Sequence, residues 1–175
     1  VPPNSRFNIW VDQEGPALAD TAVATVFQVT NNVGVVIERA MWWGGSEGWY
    51  EGHNSAGAQT TGTKWGLADG EIDDARGAET YILIGNTSAF AGTARVTLVF
   101  EDGSQATRDF PLEANSRMNV AVGVEFPAAV GKRFGTIVDS GFAVLDLAQL
   151  DRFRAVYRVE AYEDEMVAHY PRFAV

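Results

Sequence analysis

Arg95-Val96-Thr97-Leu98-Val99-Phe100 runs into Glu101-Asp102-Gly103 and then into residues 105–110, and this stretch decides the fold. Val96, Leu98 and Phe100 alternate with more polar neighbours, so they share one face of an extended chain. Asp102-Gly103 supplies the backbone conformations that a tight hairpin turn requires, so the two arms read as paired antiparallel strands. The same period of two returns at residues 21–30, where Val23, Thr25, Phe27 and Val29 share a face. Residues 81–84 and 33–43 are more continuously apolar, as in strands covered on both sides. Turn signals separate these runs: Asn31-Asn32, Gly44-Gly45, Gly52 with Asn54, and Asn86-Thr87-Ser88. The pattern predicts an all-β protein, an antiparallel β-sandwich of the immunoglobulin-like kind. Only residues 142–153 depart from it. Phe142, Leu145, Leu147 and Leu150 are loosely spaced at a helical period and admit a short helix.

Composition narrows the function classes. The 175 residues carry 13 Lys+Arg against 23 Asp+Glu, a formal net charge of -10. Nucleic acid and anionic membrane surfaces both require a basic footprint, so neither is an expected partner. There is no cysteine, which removes disulfides, thiolate metal sites and cysteine nucleophiles. Two histidines, His53 and His169, are too few for a multi-histidine metal centre. The longest uncharged stretch, residues 21–37, contains Gln28, Asn31, Asn32 and Gly34, which argues against a membrane-spanning helix. The first residues, Val1-Pro2-Pro3, lack an initiator methionine and a leader pattern. They read as a processed start or as a piece of a longer protein.

An internal repeat organises the chain. Asn4-Ser5-Arg6-Phe7-Asn8-Ile9 returns as Asn115-Ser116-Arg117-Met118-Asn119-Val120, 111 positions later. The match continues without a gap through Val11 and Val122, Glu14 and Glu125, Pro16 and Pro127, Ala17 and Ala128, and Thr25 and Thr136. A period this long is that of a domain and not of a solenoid turn. The chain therefore holds about one and a half units: residues 1–58 as the second half of one, residues 59–175 as a full one. Residues 4–30 and 115–141 are expected to be equivalent strands. A half unit leaves sheet edges without partners, which favours pairing with another copy or a neighbouring repeat. Residues 163–175 are a candidate donated strand.

Several blocks carry a family resemblance. Val35-Val36-Ile37-Glu38-Arg39-Ala40-Met41-Trp42-Trp43 precedes Gly52-His53-Asn54-Ser55. Thr63-Lys64-Trp65-Gly66-Leu67-Ala68-Asp69-Gly70 opens the next unit, and Glu79-Thr80-Tyr81-Ile82-Leu83-Ile84-Gly85-Asn86-Thr87-Ser88 follows. With the repeated Asn-Ser-Arg segment, this set resembles the DUF5719-like repeats of secreted and S-layer-associated bacterial proteins, over roughly residues 1–140. The resemblance implies an extracellular β-sandwich module in a repeat-bearing surface protein, with no catalytic residues to carry over. The expected counterpart of the Glu-Arg-Ala-Met strand in the second unit is Val156-Tyr157-Arg158-Val159-Glu160-Ala161-Tyr162, a divergent closing strand.

Candidate chemistry is sparse. His53 and Ser55 lie two residues apart without a nucleophile elbow, and His53-Asn54-Ser55 reads as a turn that ends a strand. Asp69, Glu71, Asp73 and Asp74 crowd four carboxylates into six residues. A solvated acidic loop is the leading reading and a calcium site the alternative, because calcium takes six to eight oxygen ligands. With 23 acids present, no particular pair singles itself out for glycoside hydrolysis. Trp42, Trp43, Trp49 and Tyr50 cluster among glycines; one of the adjacent tryptophans must face the core and the other outward. Trp43, Trp49 and Tyr50 are the candidate platform for stacking on a sugar, against the alternative that the rings cover the sandwich end. Arg39 is expected to pair with an acid on a neighbouring strand. The expected function is a non-catalytic extracellular or cell-surface module that spaces, adheres or assembles, with no required cofactor. The alternative is a carbohydrate-binding module whose partner is polysaccharide.

Overall fold

Val96, Leu98 and Phe100 are buried as their alternation requires, and they sit on a central strand of the larger sheet. The computed structural model describes residues 1–19, 21–43, 51–144 and 151–153. Nine strands lie among them: β1 (Glu38–Trp43), β2 (Glu51–Ala56), β3 (Gly62–Ile72), β4 (Glu79–Asn86), β5 (Gly92–Phe100), β6 (Gln105–Leu112), β7 (Ser116–Ala121), β8 (Lys132–Val144) and β9 (Asp151–Phe153). Every ladder between them is antiparallel. They form a two-stranded sheet β1-β2, a four-stranded sheet β3-β8-β5-β6 and a three-stranded sheet β7-β4-β9.

The four- and three-stranded sheets contribute to one core. Ile82 and Ile84 of β4, Val120 of β7, Val96 and Leu98 of β5, Phe110 and Leu112 of β6, and Phe134 and Val138 of β8 belong to a single buried cluster. Strand β4 is buried along nearly its whole length, as its continuous apolar run predicts for a strand flanked by β7 and β9. The β5–β6 hairpin turns at residues 101–104 with Gly103 at φ +80°, and Phe100 N–H donates to Ser104 O at 2.9 Å. Burying each of these aliphatic side chains stabilises the fold by about 1.5–3 kcal/mol relative to exposure.

The edges of the four-stranded sheet are both interrupted. On β6, Pro111 pairs with Thr93 and brings no N–H. On β3, the register against β8 shifts between Leu67 and Gly70, and Asp69 takes a left-handed φ of 68° there. Such a bulge bends an edge away from further pairing. The four-residue helix α1 (Val122–Glu125) follows β7 directly, before the 3-10 turn Pro127–Ala129.

The chain divides into two compact units, Val1–Val33 and Gly34–Val175. The β1–β2 hairpin thus falls in the second unit, although the repeat arithmetic groups it with residues 1–58. Within the first unit the expected strand at residues 21–30 is absent; of residues 33–43, which run on into the second unit, only Glu38–Trp43 is strand. The reason is the lack of partners. In the second unit the corresponding strand β8 lies between β3 and β5, and β7 lies beside β4. Among the described residues of the first unit no strand lies beside residues 21–30. A strand with neither neighbour leaves its N–H and C=O groups to water.

Residues 5–10 are likewise not strand, whereas residues 116–121 form β7, so the expected equivalence of 4–30 and 115–141 as strands is not seen; individual turns 111 positions apart are alike. Asn4 and Asn115 have φ of 52° and 49°. Ser5 Oγ donates to Pro2 O and Ser116 Oγ to Glu113 O, each at 2.6 Å. Leu18 N–H donates to Gly15 O and Ala129 N–H to Phe126 O, each at 2.9 Å. A 3-10 turn at Val11–Gln13 lies 111 positions before the start of α1.

The C-terminal expectations fare differently. Residues 142–144 belong to β8 and 151–153 to β9, so strand occupies the ends of the segment that admitted a helix. The proposed closing strand at 156–162 and the donated strand at 163–175 lie outside the described residues.

Candidate functional site

The acidic segment is the most developed polar arrangement among the described residues, and it is not a loop. Asp69 and Glu71 lie on β3, and only residues 74–77 form the turn that leads to β4. Strand alternation alone would allow Glu71 to face outward, but its side chain is 3% exposed. Glu71 ion-pairs with Arg76 and, at 3.4 Å, with Arg133 of β8. Its backbone is tied to β4: Thr80 Oγ1 donates to Glu71 O at 2.8 Å and accepts from Glu71 N–H at 3.0 Å. Asp73 shapes the turn, accepting from the N–H of Ala75 and Arg76 through Oδ1 and from Arg76 Nε at 2.6 Å through Oδ2.

The four carboxylates therefore do not converge into a calcium cage. Among the described residues no group of three or more His, Cys, Asp or Glu side chains is placed to hold a metal ion. Arg76 occupies the position between Glu71 and Asp73 where a cation would be needed. Sequence reasoning missed Arg76, Thr80 and Arg133. The available signal was Arg76 three residues after Asp73, a spacing that lets the two side chains meet across a single turn.

A second polar centre joins the β4 end to the β6–β7 connection. Asn86 is 1% exposed, and its Nδ2 donates to Phe90 O and Glu113 O, each at 2.8 Å. Its Oδ1 accepts from Ser88 N–H at 3.0 Å and Ser88 Oγ at 2.8 Å. These bonds go to backbone and to the Ser88 turn, which is a structural use.

The aromatic candidates are less developed. Trp42 on β1 is 45% exposed, with its ring beside Gly52. Trp43 closes β1, where it pairs with Glu51. Trp49 and Tyr50 lie outside the described residues. His53, Asn54 and Ser55 are not a turn: they form the middle of β2, with His53 opposite Met41 and Ser55 opposite Arg39.

Surface electrostatics centre on paired groups. Arg95 and Asp109 face each other across β5 and β6, with Arg95 Nε and Nη2 at 2.7 and 2.8 Å from the two carboxylate oxygens. The hydrogen bond from Arg95 holds the Asp109 carboxyl below its ordinary range. Asp102 is likewise lowered, chiefly by the Ser104 hydroxyl and then by the Ser104 N–H. Tyr81 donates to Glu79 at 2.8 Å, and that bond, with burial and the carboxylate charge, raises the Tyr81 phenol. An open depression lined by Asp69, Glu101 and Arg133 mixes both signs of charge.

No family model matches the chain, and no curated protein matches it. Among solved structures it is similar to the Anabaena sensory rhodopsin transducer, at 16% identity and a TM-score of 0.43, over 64% of this chain and 94% of that one. It is also similar to Thermotoga maritima 1070, at 16% identity and a TM-score of 0.42, over 55% of this chain and 94% of that one. At these values neither likeness bears on activity.

Proposed function

We propose that the chain is a non-catalytic structural module of an extracellular or cell-surface protein, one that spaces or assembles units in series. The observation that supports this reading is the recurrence of the same turns 111 residues apart, at Asn4 and Asn115, Ser5 and Ser116, and Leu18 and Ala129. Two copies of one structural segment in one polypeptide are the organisation of a tandem array. The resemblance to DUF5719-like surface repeats points the same way. The polar groups add support: buried Glu71 and Asn86 and half-buried Asp73 are engaged with arginines and backbone, and so act to hold strands and turns together.

The test is surface labelling. Antibodies against the second unit should label intact cells of the source organism, and the label should disappear after protease shaving. Labelling that requires permeabilisation overturns the surface assignment. Retention of the full chain on cell-wall polysaccharide, lost in Trp49→Ala and Tyr50→Ala, replaces the structural reading with the carbohydrate-binding one.

A further inference from the structure

Residues 1–33 expose the apolar positions that the second copy of the same segment buries. Ile9 is 48% exposed, while Val120, 111 positions later, is 1% exposed. Phe27 is 48% exposed against 0% for Val138, and Val29 41% against 5% for Ser140. The face formed by Val23, Thr25, Phe27 and Val29 thus corresponds to Phe134, Thr136, Val138 and Ser140, the inward face of β8. In the second unit that face is covered because β8 lies between β3 and β5 and packs into the shared core. An apolar strand-like face without its sheet is a partner site and not a stable solvent surface.

The connection to the missing cover is also preserved. In the second unit β6 ends at Leu112 and passes through residues 113–115 into β7. Asn115 is left-handed in that turn, and Ser116 closes it onto Glu113. Residues 2–5 keep the same turn, with Asn4 left-handed and Ser5 closing onto Pro2. A turn that serves to lead out of a β6-like strand is preserved where the described first unit has no such strand.

We propose that residues 1–33 are the acceptor half of a second unit of the same fold. Its occupant is a four-strand first half of the same kind as β3–β6, joined in cis through the Pro2–Asn4 turn. This deepens the reading of the chain as a tandem module. On docking, residues 5–10 would take the place of β7 beside a β4-like strand. Residues 21–33 would take the place of β8 between strands like β3 and β5, and Phe27 would enter the core as Val138 does.

The experiment fuses a second copy of residues 59–111 directly ahead of Val1 of the full chain and follows amide hydrogen exchange. Residues 5–10 and 21–30 should slow by about a hundredfold or more relative to the parent chain, as expected for backbone that enters a sheet. Phe27→Asp in the fusion should return 21–30 to the parent rate while 132–140 stays protected. A cross-link gives a second readout that needs little material. Thr97 pairs with Ile137, the counterpart of Val26. Thr97→Cys in the added copy with Val26→Cys should therefore form an intramolecular disulfide in a chain that otherwise has no cysteine. Parent exchange rates at 5–10 and 21–30, or absence of that cross-link under oxidising conditions, overturns the proposal. Slowing that persists when the added copy carries Val96→Asp and Leu98→Asp also overturns it. Surface labelling can fail while this test succeeds, so the two readings stand or fall separately.

Discussion

The ring of Phe134 lies over Gly70, its cross-strand partner in the β3–β8 ladder. A Cβ built at Gly70 would collide with that ring. Phe134 is itself 2% exposed and meets Phe100 edge-to-face at a centroid distance of 6.2 Å, so it has little room to retreat. Gly70→Ala should destabilise the protein by about 1–3 kcal/mol, the range for overpacking a core. Phe134→Ala alone should cost about 3–5 kcal/mol. In the double variant the two costs should fall short of additivity, because the alanine methyl then occupies space the ring has vacated. Urea unfolding of the four proteins checks this; strict additivity would show that the ring and the glycine are not coupled.

Glu71 is buried between two guanidiniums. Arg76 pairs with both Glu71 and Asp73, whereas Arg133 meets Glu71 at 3.4 Å. Arg76→Ala should therefore cost about 3 kcal/mol, the scale for leaving one partner of a buried pair behind. Arg133→Ala should cost clearly less. Equal unfolding midpoints for the two variants would contradict the geometry.

Asn86 discriminates between two kinds of loss. Asn86→Asp keeps the oxygen that Ser88 uses but cannot donate from two nitrogen hydrogens to Phe90 O and Glu113 O. It also brings a carboxylate to a site 1% exposed. Asn86→Asp should be at least as destabilising at neutral pH as Asn86→Ala, each by about 1–3 kcal/mol or more. A tolerated aspartate would mean that the donors are dispensable.

Acid dependence follows from the sign of the Asp109 shift. Its folded carboxyl titrates below the ordinary carboxylate range, because the hydrogen bond and charge of Arg95 favour the ionised form. Its contribution is therefore present above the unfolded value and is lost as pH falls through the lower, folded one. Asp109→Asn should flatten the loss of stability below about pH 4 while changing little at neutral pH, since both partners are exposed and solvent screens the pair. Urea midpoints measured across the acid range would show this, and an unchanged acid limb would count against the pair.

What the sequence revealed depended on whether a segment carried its own partners. Residues 95–110 hold both arms of a hairpin and its turn, so alternation and Asp102-Gly103 were enough to read them. Strand β4 was legible because an unbroken apolar run has few other uses. Residues 21–30 have the same alternation as β5 and yet form no strand, since pairing depends on neighbours that the pattern does not contain. The acidic segment misled for a related reason. Glu71 looks solvated until Arg133, 62 residues away, is brought beside it by the β3–β8 register. His53-Asn54-Ser55 has turn-forming composition, but register with Met41 and Arg39 holds it in β2.

Pro111 on β6 and the bulge at Asp69 on β3 have a consequence for life at high local density. Neither outer edge of the four-stranded sheet offers an uninterrupted row of amides to a neighbour. Molecules crowded side by side would then repel attempts at lateral sheet growth and stay individually folded. Any sheet-to-sheet contact between copies is thereby steered away from the two edges of this sheet.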